Sequence, residues 1–355
     1  MARFPKLELW ERGDAQPTLK QLEQFANSTH TPIGYFFLAV PPVDLVPIPD
    51  LRTVGNQHLD RPSPDLLETV YLCQQRQEWY RDYARSVGET PHAFVGSARV
   101  QDDIITKAGE IRHALGFDLD ERLHLQTWTE ALRRFIEQAD ALGVLVMTSG
   151  IVGNNTHRPL DPQEFRGFAL SDDLAPLIFV NGADTKAAQM FTVAHELAHI
   201  WLGQSGVSDA RAAEIPEQRV ERWCNQVAAE LLVPLDVIRI EYDTTATLAT
   251  EMNRLARRFK VSTLVVLRRI FDAGALAWEE FRLAYELELE RLLAIPRGSG
   301  GNFYATQSAR VGKRFASALV VSTLEGQTLH RDAFRLLGFT KLETFKELGR
   351  SLGVA

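Results

Sequence analysis

Along much of the chain, apolar residues recur every three or four positions. Shorter stretches run them together instead. In "PTLKQLEQFANSTH", Leu19, Leu22, Phe25 and Ala26 share one face at helical spacing, and "TPIGYFF" follows as a turn and short helix. The proline-rich tract "PPVDLVPIPDLRTVGNQHLDRPSP" has no helical period and reads as an extended linker. A long amphipathic helix is predicted over 64–88, with two more near 100–115 and 126–142. "GVLVMTSGIVG" predicts a strand, and "EFRGFALSD" and "APLIFVNG" predict two more, joined by an acidic turn at Asp172 and Asp173. A helix over 185–202 stops at Gly203, and another over 217–232 ends at Pro234. Two helices then flank a "KVS" turn, a further helix covers 277–292, and "IPRGSGGNFY" breaks the pattern. Beyond it, a strand-like "ASALVVSTLEG" alternates with helical segments.

The helix over 185–202 has almost no polar face, and a helix apolar all round is buried. Yet "QMFTVAHELAHIWLG" carries His195, Glu196 and His199. Residues four apart lie one turn up on the same face, so the two imidazoles converge on one point, as two ligands of a tetrahedral zinc ion do. Glu196 points about 100° away around the axis, where it reaches a water on the metal without being a ligand. This is the HExxH arrangement of zinc hydrolases. Buried imidazoles and a buried carboxylate must be paired or coordinating.

A third ligand is needed, with a fourth position left open. Glu217, Glu221 and Glu230 are the carboxylates of "PEQRVERWCNQVAAELLVP", whose apolar stripe is Val220, Trp223, Val227 and Leu231. Glu221 and Asn225, four apart, share a side next to that stripe; Glu230, inside "VAAELLVP", is the other candidate. Spacing favours Glu221.

"FTVAHELAHIWLG" followed by "VERWCNQVAAELLVP" resembles the ImmA/IrrE family of bacterial and phage metallopeptidases. Its second motif is matched here at Glu221, Asn225, Ala228, Leu231, Leu232 and Pro234, with Cys224 and Val227 in place of the usual Ala and Phe. The resemblance covers roughly residues 145–285 and includes the strand pair leading into the HExxH helix. It implies a mostly helical α+β fold: a small zincin-like metallopeptidase core with a short sheet and flanking helical modules. It implies Zn2+ on His195, His199 and Glu221, with Glu196 as catalytic base. An edge strand "EFRGFALSD" would then hold substrate by strand addition. Phe165, Arg166, Gly167 and Phe168 become substrate-binding candidates, with Asn225. His157 and Arg222 are candidates for the oxyanion, against a solvent-facing role for each.

"LELWERGDAQPTLKQLEQFANSTHTPIGYFF" resembles the second half of a lambda-repressor-like helix-turn-helix through Trp10, Glu11, Gly13, Pro17 and Thr18. Most of the recognition helix has no counterpart, so the reading is a truncated or remnant unit. "LARRFKVSTLVVLRRIFDAG" is a second helix-turn-helix-like stretch, basic through Arg254, Arg257, Arg258, Lys260, Arg268 and Arg269. A solvated face is favoured over phosphate contacts. The expected division is 1–40 partial helix-turn-helix, 41–63 linker, 64–240 metallopeptidase core, 241–295 helical module and 296–355 of unknown role.

Composition narrows the partners. The chain has 355 residues, 45% hydrophobic and 24% charged, with a net charge of −7. That balance belongs to an ordinary globular protein and argues against a nucleic-acid or anionic-membrane coat. Two cysteines, Cys73 and Cys224, form no CxxC pair, and no apolar run reaches the roughly 20 residues of a membrane span, which together suggest the cytoplasm. The expected function is a zinc-dependent endopeptidase that cuts a cytoplasmic protein. By resemblance that substrate is a helix-turn-helix repressor encoded nearby, cut to derepress stress, phage or mobile-element genes. The alternatives are a DNA-binding regulator or antitoxin-type protein with an idle metal site, and a scaffold with structural zinc. The latter closes with four ligands, and no cysteine or histidine follows at suitable spacing.

Overall fold

A four-stranded mixed sheet separates two apolar cores in the computed structural model, which describes residues 4–40, 42, 45–51, 53–54, 57–58, 62–208, 218–294 and 309–354. At the N-terminus stand α1 (Leu7–Arg12), α2 (Leu19–Thr29) and a 3-10 turn (Ile33–Phe37). Next come a two-stranded ribbon, β1 (Thr53–Val54) with β2 (Gln57–His58), and then α3 (Pro64–Ser86), α4 (Ile104–Leu115), α5 (Glu121–His124) and α6 (Trp128–Leu142). The central part runs β3 (Leu145–Ser149), β4 (Gly167–Leu170), β5 (Leu177–Asn181), α7 (Lys186–Leu202), β6 (Gly206–Ser208) and α8 (Arg219–Leu232). After it come α9 (Leu235–Glu241), α10 (Leu248–Phe259), α11 (Thr263–Asp272), α12 (Trp278–Leu293), α13 (Lys313–Leu324), α14 (His330–Leu337) and α15 (Leu342–Leu352). No described helix is long and apolar enough to cross a membrane.

The strands alternate strictly between the two cores, as the period of two requires. Val146, Ala169, Ile178 and Val180 face α4, α6, α7, α8, α10 and α11. Leu145, Met147, Phe168, Leu170, Leu177 and Phe179 face α3 and the C-terminal helices. Both faces are covered, which is why these strands read as continuous apolar runs. Helix starts are written locally: Ser63, Asp103, Thr127, Thr185, Thr247 and Ser262 each accept a backbone amide at the head of a helix.

The strand order is β3-β5-β4-β6, with β3 parallel to β5 and the other pairs antiparallel. This corrects the expectation that "EFRGFALSD" forms an edge. β4 lies inside the sheet, with Phe168 opposite Phe179 on one side and Val207 on the other. The outer side of β6 is itself taken by residues 49–51: the Leu51 amide donates to Val207 O at 2.9 Å, and the Val207 amide to Pro49 O at 3.0 Å. Leu51 packs closely on this edge: a Cβ at Gly206 would stand 2.7 Å from Leu51 Cδ1, which would have to shift. Part of the expected linker is therefore a sheet extension. Within this tract, residues 41, 43–44, 52, 55–56 and 59–61 lie outside the described residues, as do Glu217 and the glycine-rich break at 295–304.

A second correction concerns "ASALVVSTLEG", which is helical within α13. Its apolar run imitates a strand because α13 packs against α3, β3, α14 and α15, burying nearly every turn. Periodicity cannot separate a helix buried all round from a buried strand.

Near the end of α6, Asp140 accepts the Val146 amide at 3.5 Å and so ties α6 to β3. Burial pushes its carboxyl up to about 7, against that hydrogen bond and the positive charges of Arg314 and Lys313. A raised carboxyl pKa means the folded state holds a proton that the unfolded chain releases, so stability falls as pH rises from about 3.8 to about 7. Asp140→Asn keeps an acceptor and removes the charge. Its stability gain, read from denaturant unfolding, is expected to be absent below that window, to grow through it, and to level off at on the order of 4 kcal/mol above it.

Candidate metal centre

α7 is fixed at both ends. Thr185 caps its start, and the Gln189 amide nitrogen donates to Gly182 O at 3.1 Å and Asp184 O at 2.6 Å. Gly203 ends it with φ 68°, its amide returning to the last turn, and Gly96 packs so close that a Cβ would meet its Cα at 2.9 Å. From Gln189 to Trp201 every residue is buried. His195, Glu196 and His199 have no solvent exposure at all.

α8 lies along α7 and brings Glu221 to the two imidazoles. His195 Nε2 and His199 Nε2 stand 3.1 Å apart, Glu221 Oε1 is 2.9 Å from His199 Nε2, and Glu221 Oε2 is 3.3 Å from His195 Nε2. Four ligands at about 2.0–2.1 Å around a tetrahedral cation are separated by roughly 3.3 Å, so these three groups form one face of such a site. The ring nitrogens that would take the cation point at each other, an arrangement that repels unless a proton or a cation sits between. Neither Nδ1 has a hydrogen-bond partner among the described residues. Of the clusters of histidine, cysteine and carboxylate side chains there, this is the one close enough to hold a metal ion.

Glu230, the other carboxylate weighed for this role, is engaged elsewhere. It pairs with Arg269, and the Leu235 amide donates to it. It is a buried charge neutralised by a guanidinium, not a neighbour of the imidazoles.

Glu196 leaves α7 towards the sheet. Its Oε1 accepts a hydrogen bond from Ser208 Oγ on β6, while Oε2 is buried without a partner among the described residues. Gly167 makes the close approach possible: a Cβ on it would fall 2.6 Å from Thr192 Cγ2, 2.8 Å from Phe179 O and 3.0 Å from Glu196 Oε1. Burial raises the Glu196 carboxyl to about 8, against the pull of His199 and the Ser208 hydrogen bond. Burial also raises Glu221, but His195 and His199 outweigh it and bring that carboxyl down to about 2. The cluster thus holds one carboxylate stabilised as an anion beside imidazoles and one pressed towards its neutral form against the sheet.

The remaining candidates scatter. Phe165 and Phe168 are fully buried in the core beside Phe179. Arg166 pairs with Asp184 at 3.3 Å, and Asn225 is nearly buried, with Oδ1 unpartnered among the described residues. His157 and Arg222 are both exposed, in line with their solvent-facing reading. In the basic stretch, Arg254 binds Glu251, Arg258 binds Asp120 and Glu241, Arg268 and Arg269 bind Asp272, and Lys260 Nζ donates to Arg257 O. Most of its charge is spent inside the chain. Ser208 was not singled out from the sequence: one hydroxyl in a three-residue strand carries no periodic signal.

Residues 139–271 match the IrrE N-terminal-like domain, a peptidase family. Residues 311–351 match a domain of unknown function. Among curated proteins, the radiation response metalloprotease IrrE of Deinococcus radiodurans is 36% identical over 91 residues, which is 24% of this chain and 28% of that protein. The chain thus matches little more than a quarter of that relative's length. The His195–His199–Glu221 cluster lies inside the 139–271 match. Together these likenesses support the ImmA/IrrE family, and with it a metallopeptidase, for this part of the chain.

Proposed function

We propose that the protein is a zinc-dependent endopeptidase whose substrate is a helix-turn-helix repressor encoded nearby. The observation that carries this reading is the convergence of His195, His199 and Glu221 beside a separate buried carboxylate, Glu196. A structural metal site has no use for the second carboxylate. A cation held there would act as a Lewis acid, polarising the scissile carbonyl and making water more acidic.

The chain's own groups supply the proton transfers. The charge of a cation held beside it would favour the ionised form of Glu196, whose Oε2, unpartnered among the described residues, takes the proton as water oxygen attacks the carbonyl carbon and returns it to the amine nitrogen as the C–N bond breaks. Asn225 Oδ1, buried and unpartnered among the described residues, is an acceptor suited to a peptide N–H. With β4 flanked on both sides, peptide recognition rests on groups other than a free β4 edge. The relative's radiation response suits a protease that removes a repressor under stress. The internal ion pairs of the basic stretch weigh against the DNA-binding alternative.

Two outcomes follow. Glu196→Gln is expected to retain one equivalent of zinc and the wild-type melting profile while losing at least 100-fold in cleavage of the neighbouring repressor, followed by gel and mass spectrometry. Cleavage at the wild-type rate would end the peptidase proposal. Zinc in large excess over its Kd is expected to raise the thermal midpoint, by an amount equivalent to about 4 kcal/mol at 1,000-fold excess, and a chelator to reverse it. Glu221→Gln is expected to lose most of that increment. An unchanged midpoint in the wild-type chain would remove the metal from the reading.

A further inference from the structure

We infer that Ser208 is a positioning residue for Glu196: its hydroxyl holds Oε1 and so presents Oε2 as the oxygen that accepts the proton. The inference rests on the peptidase reading of the same site. It adds a residue from a different structural element to the machinery.

Three observations converge on it. Ser208 Oγ donates to Glu196 Oε1, and both residues have no solvent exposure. Glu196 Oε2 has no partner among the described residues, so the two oxygens are unequal: one is spoken for and one is available. The third is the wedge at Gly167, where the absence of a Cβ lets the carboxylate lie against β4, directly opposite Ser208 in the β4–β6 register.

The physical need is clear. The terminal torsion of a glutamate is broad and two-fold, so packing of the stem leaves the carboxylate plane free to turn. A general base must present a lone pair along one direction, and misplacement by an ångström costs heavily. A hydrogen bond to one oxygen fixes the plane. The donor is itself fixed, because Ser208 is in the sheet, with its carbonyl accepting the Arg166 amide at 3.4 Å and its neighbour Val207 bonded to residues 49–51. Support from a rigid element is what holds such a group in a productive geometry. A purely structural role would satisfy a buried hydroxyl and nothing more, and the two roles separate experimentally.

The test uses the full chain loaded with Co2+ and titrated with acetohydroxamate, a metal-chelating probe that also hydrogen-bonds an adjacent carboxylate; the visible spectrum of the cobalt reports binding without any protein substrate. Ser208→Ala is expected to keep one equivalent of metal and the wild-type melting midpoint, yet to bind the probe about tenfold more weakly. Ser208→Thr, which keeps the hydroxyl, is expected to restore affinity, and Glu196→Gln to lose it as Ser208→Ala does. If Ser208→Ala is unstable, Ser208→Cys, nearly isosteric and a poor donor, serves for the same comparison. Wild-type affinity in the alanine or cysteine variant, with Glu196→Gln weakened, would overturn the inference and leave the peptidase reading standing. Wild-type affinity in Glu196→Gln as well would overturn both.

Discussion

Two imidazoles and two carboxylates sit almost wholly buried in a helix pair, and that burial is the constraint the rest of the site answers. An isolated ion moved into such surroundings costs several kcal/mol even after relaxation. His195, His199 and Glu221 meet the cost among themselves and, on the reading proposed, through a cation between them. Glu196 meets it through Ser208 and by being pressed towards its neutral form. Glu230, on the same helix as Glu221, meets it through Arg269. Three buried glutamates on α7 and α8 thus have three kinds of neutraliser, and on the reading proposed that assignment separates ligand, base and structural anchor.

The separation follows from where each helix face looks. Glu221 faces the imidazoles of α7 and is held low, near 2. Glu196 is one residue past His195, which turns it by a quarter circle to the sheet, where desolvation dominates. Environments that push two carboxyls in opposite directions are the usual origin of divided labour in hydrolytic sites. Here the device is the angle of one residue along a helix, made tolerable by a glycine on the neighbouring strand.

The helix pair was legible from sequence because its information is local. His195, Glu196 and His199 are fixed by helical spacing, Gly203 by its cap, and Glu221 by its place beside an apolar stripe. The sheet was legible only in part. Its strands could be read, but their order depends on which segment returns after α7, and β6 is three residues long with no alternation to detect. That omission hid both Ser208 and the interior place of β4. The misreading of α13 has the opposite cause: neighbours on every side erase the polar face that betrays a helix. In the basic stretch, the pairs of Arg254 with Glu251 and of Arg268 and Arg269 with Asp272 are local, but the partners of Arg258, Asp120 and Glu241, are distant in sequence and could not be assigned from composition.

Ser208 also gives the N-terminal tract a place in the argument. Pro49 and Leu51 bond the outer side of β6, β4 bonds its inner side, and Ser208 is the next residue along. A strand of three residues has few ladder bonds of its own, so its position depends on both flanks. Removing the outer flank exposes the Val207 amide and carbonyl and loosens the element that carries the hydroxyl. The carboxylate on α7 is then held only by its stem. On the reading proposed, a segment some 145 residues upstream of the HExxH motif is therefore part of what keeps the base in place, through backbone hydrogen bonds that no motif in the sequence records.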